Sequence, residues 1–202
     1  MPCDHRFIND LQLQYVDWEV RTLFIGTFNP AWIFPNNNAE WFYGRTARND
    51  FWGILSTIHT GHSLIPGTPE DWKNFCRDNH IGITDIITSL NDADENNPLH
   101  VEMIQNFADD QLTEFGIELT DIPALLEEHQ SIQQICLTRK TLPNPWNILF
   151  QPTFEWVANH PERDIQIKKL RSPSRGARKG VVGNFTDFIV NHWQDAGEYQ
   201  IL

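Results

Sequence analysis

The sequence holds no apolar run near the ~18 residues that a membrane-spanning helix needs, which excludes a transmembrane reading. Its start, Met1-Pro2-Cys3-Asp4-His5-Arg6, is followed by no apolar stretch of the signal-peptide kind, so a cytoplasmic location is expected. Cysteine is scarce: Cys3, Cys76 and Cys136 are odd in number and far apart, which argues against a disulfide framework. No Ser–His–Asp arrangement and no Walker-type phosphate loop stand out. Cys76 and His80 lie four apart with His59 and His62 nearby. A metal centre needs three or four convergent ligands, and none is expected here. Repeats, linkers and low-complexity tracts are also lacking, so residues 1–202 read as a single domain.

What is present is a folded chain. Its 40% hydrophobic content suffices for a core, and eight Trp with thirteen Phe supply large areas to bury or faces for stacking. The net charge of −12 on its own argues against a polyanionic partner. The distribution is uneven, however. Between Arg163 and Gly180 lie seven of the fifteen bases and one acid, whereas Asp92 to Glu128 holds eleven acids and no Lys or Arg. Screening confines charge effects to ~8–10 Å at moderate salt, so a basic loop can dock a phosphate backbone on an acidic protein. It can equally be a solvated loop.

The apolar periods predict strands at 22–26, 81–87, 132–138 and 164–170. Helices are predicted from Asp50 to Ile58 with Asn49 as cap, and from Thr68 to about Asn79, where a capping residue, Pro69 and two acids mark the start. Others are expected over Leu99–Phe107, from Asp121 through Leu126, over Trp146–Asn159 with a break at Pro152, and over Phe185–Trp193. Strands alternating with helices imply an α/β fold, a three-layer α/β/α sandwich around a central, mainly parallel four-stranded sheet. Ligands of such sheets sit at the carboxyl ends of the strands, here the loops 27–48, 88–98 and 171–181.

Those loops carry a motif series. Gly26-Thr27-Phe28-Asn29-Pro30 follows the first strand, then comes Glu40-Trp41-Phe42-Tyr43-Gly44-Arg45-Thr46-Ala47-Arg48-Asn49-Asp50-Phe51-Trp52, and Leu170-Arg171-Ser172-Pro173-Ser174-Arg175 follows the last strand. In this order they resemble the uracil-DNA glycosylase superfamily, most closely the hypoxanthine-DNA glycosylase branch and its uncharacterised relatives. The departures are an extra residue between Gly26 and Pro30, Ala31 for a Gly, Arg45-Thr46-Ala47 for a Gly-His-Pro-type run, and Ser172 for a His. The four cysteines of the cluster-bearing branches are missing, so the resemblance implies neither an iron–sulfur cluster nor any other cofactor.

The resemblance implies a DNA glycosylase-like hydrolase that flips a deaminated base (uracil, hypoxanthine or xanthine) out of DNA, with DNA as partner and no membrane association. As catalytic residues, Asn49 matches the position that carries water-positioning chemistry in the hypoxanthine branch, and Asn29 matches the Asn of a Gly-x-Asn-Pro motif in the mismatch-specific branch. Phe28, Phe42 and Tyr43, with Trp41, are expected to stack on the base, and Thr84 or Asp85 to read its edge. Arg171, Ser172, Ser174, Arg175 and Arg178 are expected on the phosphate backbone. The alternative is a catalytically inactive nucleic-acid or nucleotide binder that retains the fold. Individual residues also have plainer readings: Asn49 as a helix cap, Asn29 as a turn residue, Asp85 as a carboxylate bonded to loop amides, Ser172–Ser174 as an ordinary turn, and Phe51, Trp52, Ile54 and Leu55 as core.

Overall fold

The run 22–26 is buried along its whole length, and its side chains alternate between two cores, as the two-residue period of a strand requires. Leu23 and Ile25 enter one hydrophobic cluster, and Phe24 enters the other. The computed structural model describes residues 1–35, 38–44, 49–106, 109–195 and 197–202. Residues 45–48, which include Arg48 of the Arg48–Trp52 run, and the expected helix end at Phe107 lie outside the described residues.

The strands are Cys3–Asp4 (β1), Thr22–Gly26 (β2), Ile81–Asp85 (β3), Ile87–Leu90 (β4), Ile117–Leu119 (β5), Gln134–Leu137 (β6) and Gln166–Lys169 (β7). The helices are Phe51–Thr60 (α1), Pro69–Asp78 (α2), Pro98–Gln105 (α3), Asp109–Leu112 (α4), Ile122–Glu128 (α5), Trp146–Leu149 (α6), Gln151–Asn159 (α7) and Phe185–Asp195 (α8). The main sheet runs in the order β3-β2-β6-β7 with every pairing parallel, as the strand–helix alternation predicts. One face carries Leu23, Ile25, Ile135 and Leu137 against α5, α6 and α7. The other carries Phe24, Ile81, Ile83 and Cys136 against α1, α2 and α8. Pro152 does interrupt the helical run 146–159, at the start of α7.

Two features were not expected. The apolar run 81–87 is not one strand: β3 ends at Asp85, and β4 leaves the main sheet to pair antiparallel with β1 and β5. The break is held by Ile86 N–H donating to the Gly26 carbonyl (3.1 Å) and Thr120 N–H donating to the Ile86 carbonyl (2.9 Å). Residues 88–90 therefore belong to a strand, and the expected 88–98 loop begins only after Leu90. Second, the N-terminal segment is stitched to the rest by β1–β4 pairing and by Arg6 N–H to the Asn29 carbonyl (2.7 Å).

The aromatic stock is spent mainly on packing. Trp41, Trp52 and Trp72 stack in series, with Trp52 5.7 Å from Trp41 and 5.4 Å from Trp72, and the Trp52 indole donates to the Phe42 carbonyl at 2.8 Å. That stack pins the 41–44 turn onto α1. Each buried aromatic of this size contributes roughly 2–3 kcal/mol of transfer free energy. Phe51, Trp52, Ile54 and Leu55 are all buried on the core side of α1. At the start of α2, Thr68 and Asp71 form a reciprocal capping box. Thr68→Ala is expected to lower stability by about 1 kcal/mol, read as a shifted urea midpoint with an unchanged slope.

Candidate functional site

Three parallel strands end together at Gly26, Asp85 and Leu137, and the side chains that follow them converge. Asp85 is fully buried, a costly place for a carboxylate unless it is bonded. Its Oδ2 accepts from Asn29 Nδ2 at 2.6 Å and from His5 Nε2 at 2.8 Å. His5 Nδ1 accepts from the Phe7 N–H at 3.0 Å, so the ring proton sits on Nε2 and the ring donates to Asp85. Oδ1 of Asp85 is buried and has no hydrogen-bond partner.

That oxygen lies over Gly26. A Cβ built on Gly26 would stand 2.1 Å from Asp85 Oδ1 and 2.0 Å from the Tyr43 hydroxyl oxygen, so both groups pack against Gly26 at a closeness that only glycine allows. Tyr43 itself holds a left-handed backbone (φ 59°), uncommon for a bulky residue and a form of strain that collects at functional sites. Its ring stacks on Phe51 at 4.2 Å, and its hydroxyl pairs with Thr138 Oγ1 at 3.3 Å. Burial, with the charges of Asp85 and Asp109 adding to it, pushes the Tyr43 phenol well above its ordinary range. The group is thus an O–H donor at neutral pH.

A second carboxylate borders this floor. Asp109 Oδ2 accepts from Arg139 Nη2 at 3.0 Å and from Thr27 Oγ1 at 3.2 Å, while 36% of its side-chain surface stays accessible. Burial among surrounding atoms raises its pKa, with Asp110 and Asp85 reinforcing the shift and Arg139 and Thr27 opposing it. Arg139 lies over the Trp146 ring at 4.3 Å. Sequence reasoning missed His5, Thr27, Thr138, Asp109 and Arg139. The carboxyl-end rule points to Thr27, Thr138 and Arg139, since they directly follow β2 and β6. Nothing in the sequence around His5 or Asp109 does.

Other expected residues are placed differently. Thr84 alternates away from the site, and its hydroxyl donates to the Leu11 carbonyl (2.8 Å) inside the core, so it does not face a ligand there. Phe28 and Phe42 are buried, with ring centres 5.7 and 5.8 Å from that of His5, and their faces go to packing. Trp41 is buried in the tryptophan stack.

The 49–52 run and the loop after β7 are brought together. Asn49 forms an antiparallel bridge with Ser174, and the Asp50 N–H donates to the Pro173 carbonyl at 3.1 Å. Asn49 Oδ1 accepts from the Phe51 N–H at 2.9 Å, but the cap position of α1 falls on Asp50, one residue later than expected, and its side chain makes no capping bond. Buried Asp50 receives Arg175 through Nη2 (2.9 Å) and Nε (3.0 Å). Arg171 lies over Phe188 at 4.8 Å and donates to the Ala177 carbonyl at 3.2 Å. Ser172 and Ser174 hydroxyls accept from the Ser174 and Gly176 N–H groups. Arg178 and Lys179 are exposed. The described residues contain no group of three or more His, Cys, Asp or Glu able to hold a metal, and none of their helices is long and apolar enough to cross a membrane.

Because a Cβ on Gly26 meets two side chains that themselves sit in packed surroundings, Gly26→Ala is expected to cost about 1–3 kcal/mol in urea unfolding.

No family model and no curated protein matches the chain. Among solved structures, it is similar to a solution NMR structure of a "putative Uracil DNA glycosylase" from Methanosarcina acetivorans. The two share 16% identity over 90% of this chain and 94% of the other, with a TM-score of 0.54. At that identity the likeness speaks to the fold, and the fold of this chain is uracil-DNA glycosylase-like.

Proposed function

We propose that this protein is a DNA glycosylase-like hydrolase that removes a deaminated base (uracil, hypoxanthine or xanthine) from DNA after flipping it out of the stack. The observation that carries this reading is the unpartnered, buried Oδ1 of Asp85 beside the Tyr43 hydroxyl, at the carboxyl ends of a parallel sheet. An acceptor next to an O–H donor complements the N–H/C=O edge that each of these bases presents, and a buried carboxylate oxygen without a donor is otherwise costly. The similarity to the hypoxanthine-DNA glycosylase branch in Arg48–Trp52 supports the same reading.

In the reaction a water oxygen bonds to the sugar C1′ as the C1′–N bond breaks, the electron pair leaves with the base, and the water's proton passes to solvent. Asn29 and Asn49 serve to orient that water through their carbonyl oxygens; an amide is too weak a base to take the proton itself. Exposed Arg178 and Lys179, with Ser172 and Ser174, are proposed to hold phosphates. Arg171 and Arg175 also have intramolecular partners, which a phosphate would have to displace or share.

The same occupied arginines, Ser172 in place of a His and the −12 charge favour the second reading, a catalytically inactive binder of nucleic acid or nucleotides. Incubation with duplex and single-stranded oligonucleotides carrying uracil, hypoxanthine or xanthine, followed by alkaline cleavage at abasic sites, separates the two. Strand breaks are expected at one or more of these bases; intact strands with retained affinity favour the binder. Asn49→Ala is expected to slow excision by at least ~100-fold while costing only about 1 kcal/mol of stability, since loss of one hydrogen bond to the Phe51 N–H is small and misplacement of an attacking group is not. Combining Arg178→Ala with Lys179→Ala should flatten the log-affinity versus log-salt slope for duplex by about 0.9 per lost phosphate contact. An unchanged slope would return these residues to solvent.

A further inference from the structure

We propose that His5 is a positioning residue of the site: acting through Asp85, it fixes the Asn29 amide so that its carbonyl oxygen faces the water that attacks the sugar. The inference rests on the role given to Asn29 above, but its geometric part is independent of activity.

The geometry begins with one crowded oxygen. Asp85 Oδ2 takes both the Asn29 Nδ2 donor and the His5 Nε2 donor, while Oδ1 takes none. A carboxylate can accept only through its oxygens, so the amide group that meets it must be the NH2 end. That settles the Asn29 side chain: Nδ2 points inward to Asp85, and Oδ1 takes the other in-plane position of the amide. The carboxylate is what chooses the amide's orientation.

The carboxylate in turn needs a fixed rotamer. No backbone N–H or other side chain is bonded to its oxygens among the described residues, so His5 and Asn29 alone hold it in the plane it adopts. His5 can do this because it is itself fixed three times over. Its Nδ1 receives the Phe7 N–H, which fixes the tautomer. Its own N–H donates to the Thr88 carbonyl at 2.8 Å, which extends the β1–β4 pairing. Its ring stands edge-on or tilted to Phe7, Phe28 and Phe42, with centroids 5.7–5.8 Å away. Without the histidine donor, Asp85 keeps only the mobile amide as a partner and is free to turn its empty Oδ1 toward Asn29. The amide would keep its NH2 end on the carboxylate, but its carbonyl oxygen would no longer be held at one position. A histidine that merely fills the core would have no such effect on Asn29.

The test uses His5→Phe, which fills the aromatic cage without a donor, and His5→Gln, whose side-chain amide reaches the Nε2 position with a donor. Two readouts are taken on the full chain: the side-chain amide 1H–15N signals of Asn29, and single-turnover excision from the oligonucleotides above. With His5→Gln, the Asn29 signals should stay at wild-type positions and the rate within about 3-fold. With His5→Phe, the signals should shift from their wild-type positions and broaden, and excision should slow by roughly 10–100-fold, since a misplacement of about 1 Å at the reacting group can cost ~100-fold. Adding His5→Phe to Asn29→Ala should slow it no further, because a residue that acts through Asn29 has nothing left to position.

Unmoved Asn29 signals in His5→Phe, or a double variant slower by the product of the two single effects, would overturn the proposal. So would displaced signals in a folded His5→Gln, which also decides the matter if His5→Phe does not fold. A wild-type protein that cleaves no oligonucleotide removes the glycosylase reading, and the positioning claim then stands or falls on the Asn29 signals alone.

Discussion

A carboxylate placed in a protein interior must be met by donors, and Asp85 imposes that requirement on everything around it. It lies at the last position of β3, where the apolar run divides between two sheets. The chain answers with an N-terminal segment folded back across β4 to deliver His5, and with a loop after β2 that delivers Asn29. Gly26 is bare where Asp85 Oδ1 and the Tyr43 hydroxyl pack against it, closer than a Cβ would allow. The small antiparallel sheet β1-β4-β5, which also buries Cys3, Ile87 and Leu90 in a core cluster, is the frame for this delivery.

A second buried acid organises the opposite rim. Asp50, at the start of α1, is held by Arg175 and by Thr186 Oγ1 (3.4 Å), so the loop after β7 is tied to the helix that follows the 41–44 turn. The ordering matters for electrostatics. Although seven bases cluster between Arg163 and Gly180, Arg163, Arg171 and Arg175 have intramolecular partners, which a phosphate would have to displace or share. A count of charges along the sequence overstates what a partner would meet.

The fold was legible because its signals are local. A short apolar run ended by Gly26 marks 22–26 as a buried strand, the Thr68 cap with Pro69 and two acids marks a helix start, and strand–helix alternation leads to a parallel sheet. The break at Ile86 was not legible, since Ile81–Ile87 is a uniform apolar run and the hydrogen bonds that divide it come from Gly26 and Thr120, far away in sequence. Phe28 and Phe42 show the same limit from the other side: an aromatic residue in a loop has the composition of a stacking platform, but whether its face is free depends on what packs against it, here His5.

The sequence by itself determined the class of sheet, the start of α2, the core face of α1 and the end of β2 at Gly26, because propensity, capping and periodicity act over a few residues. Only the tertiary structure decided which side chains share the space above the strand ends. His5 and Asp85 are eighty positions apart, and Thr27 meets Asp109 across a similar span. Such partners are selected by strand register and by the need to satisfy buried charge, and neither leaves a mark on the residues nearby in the chain.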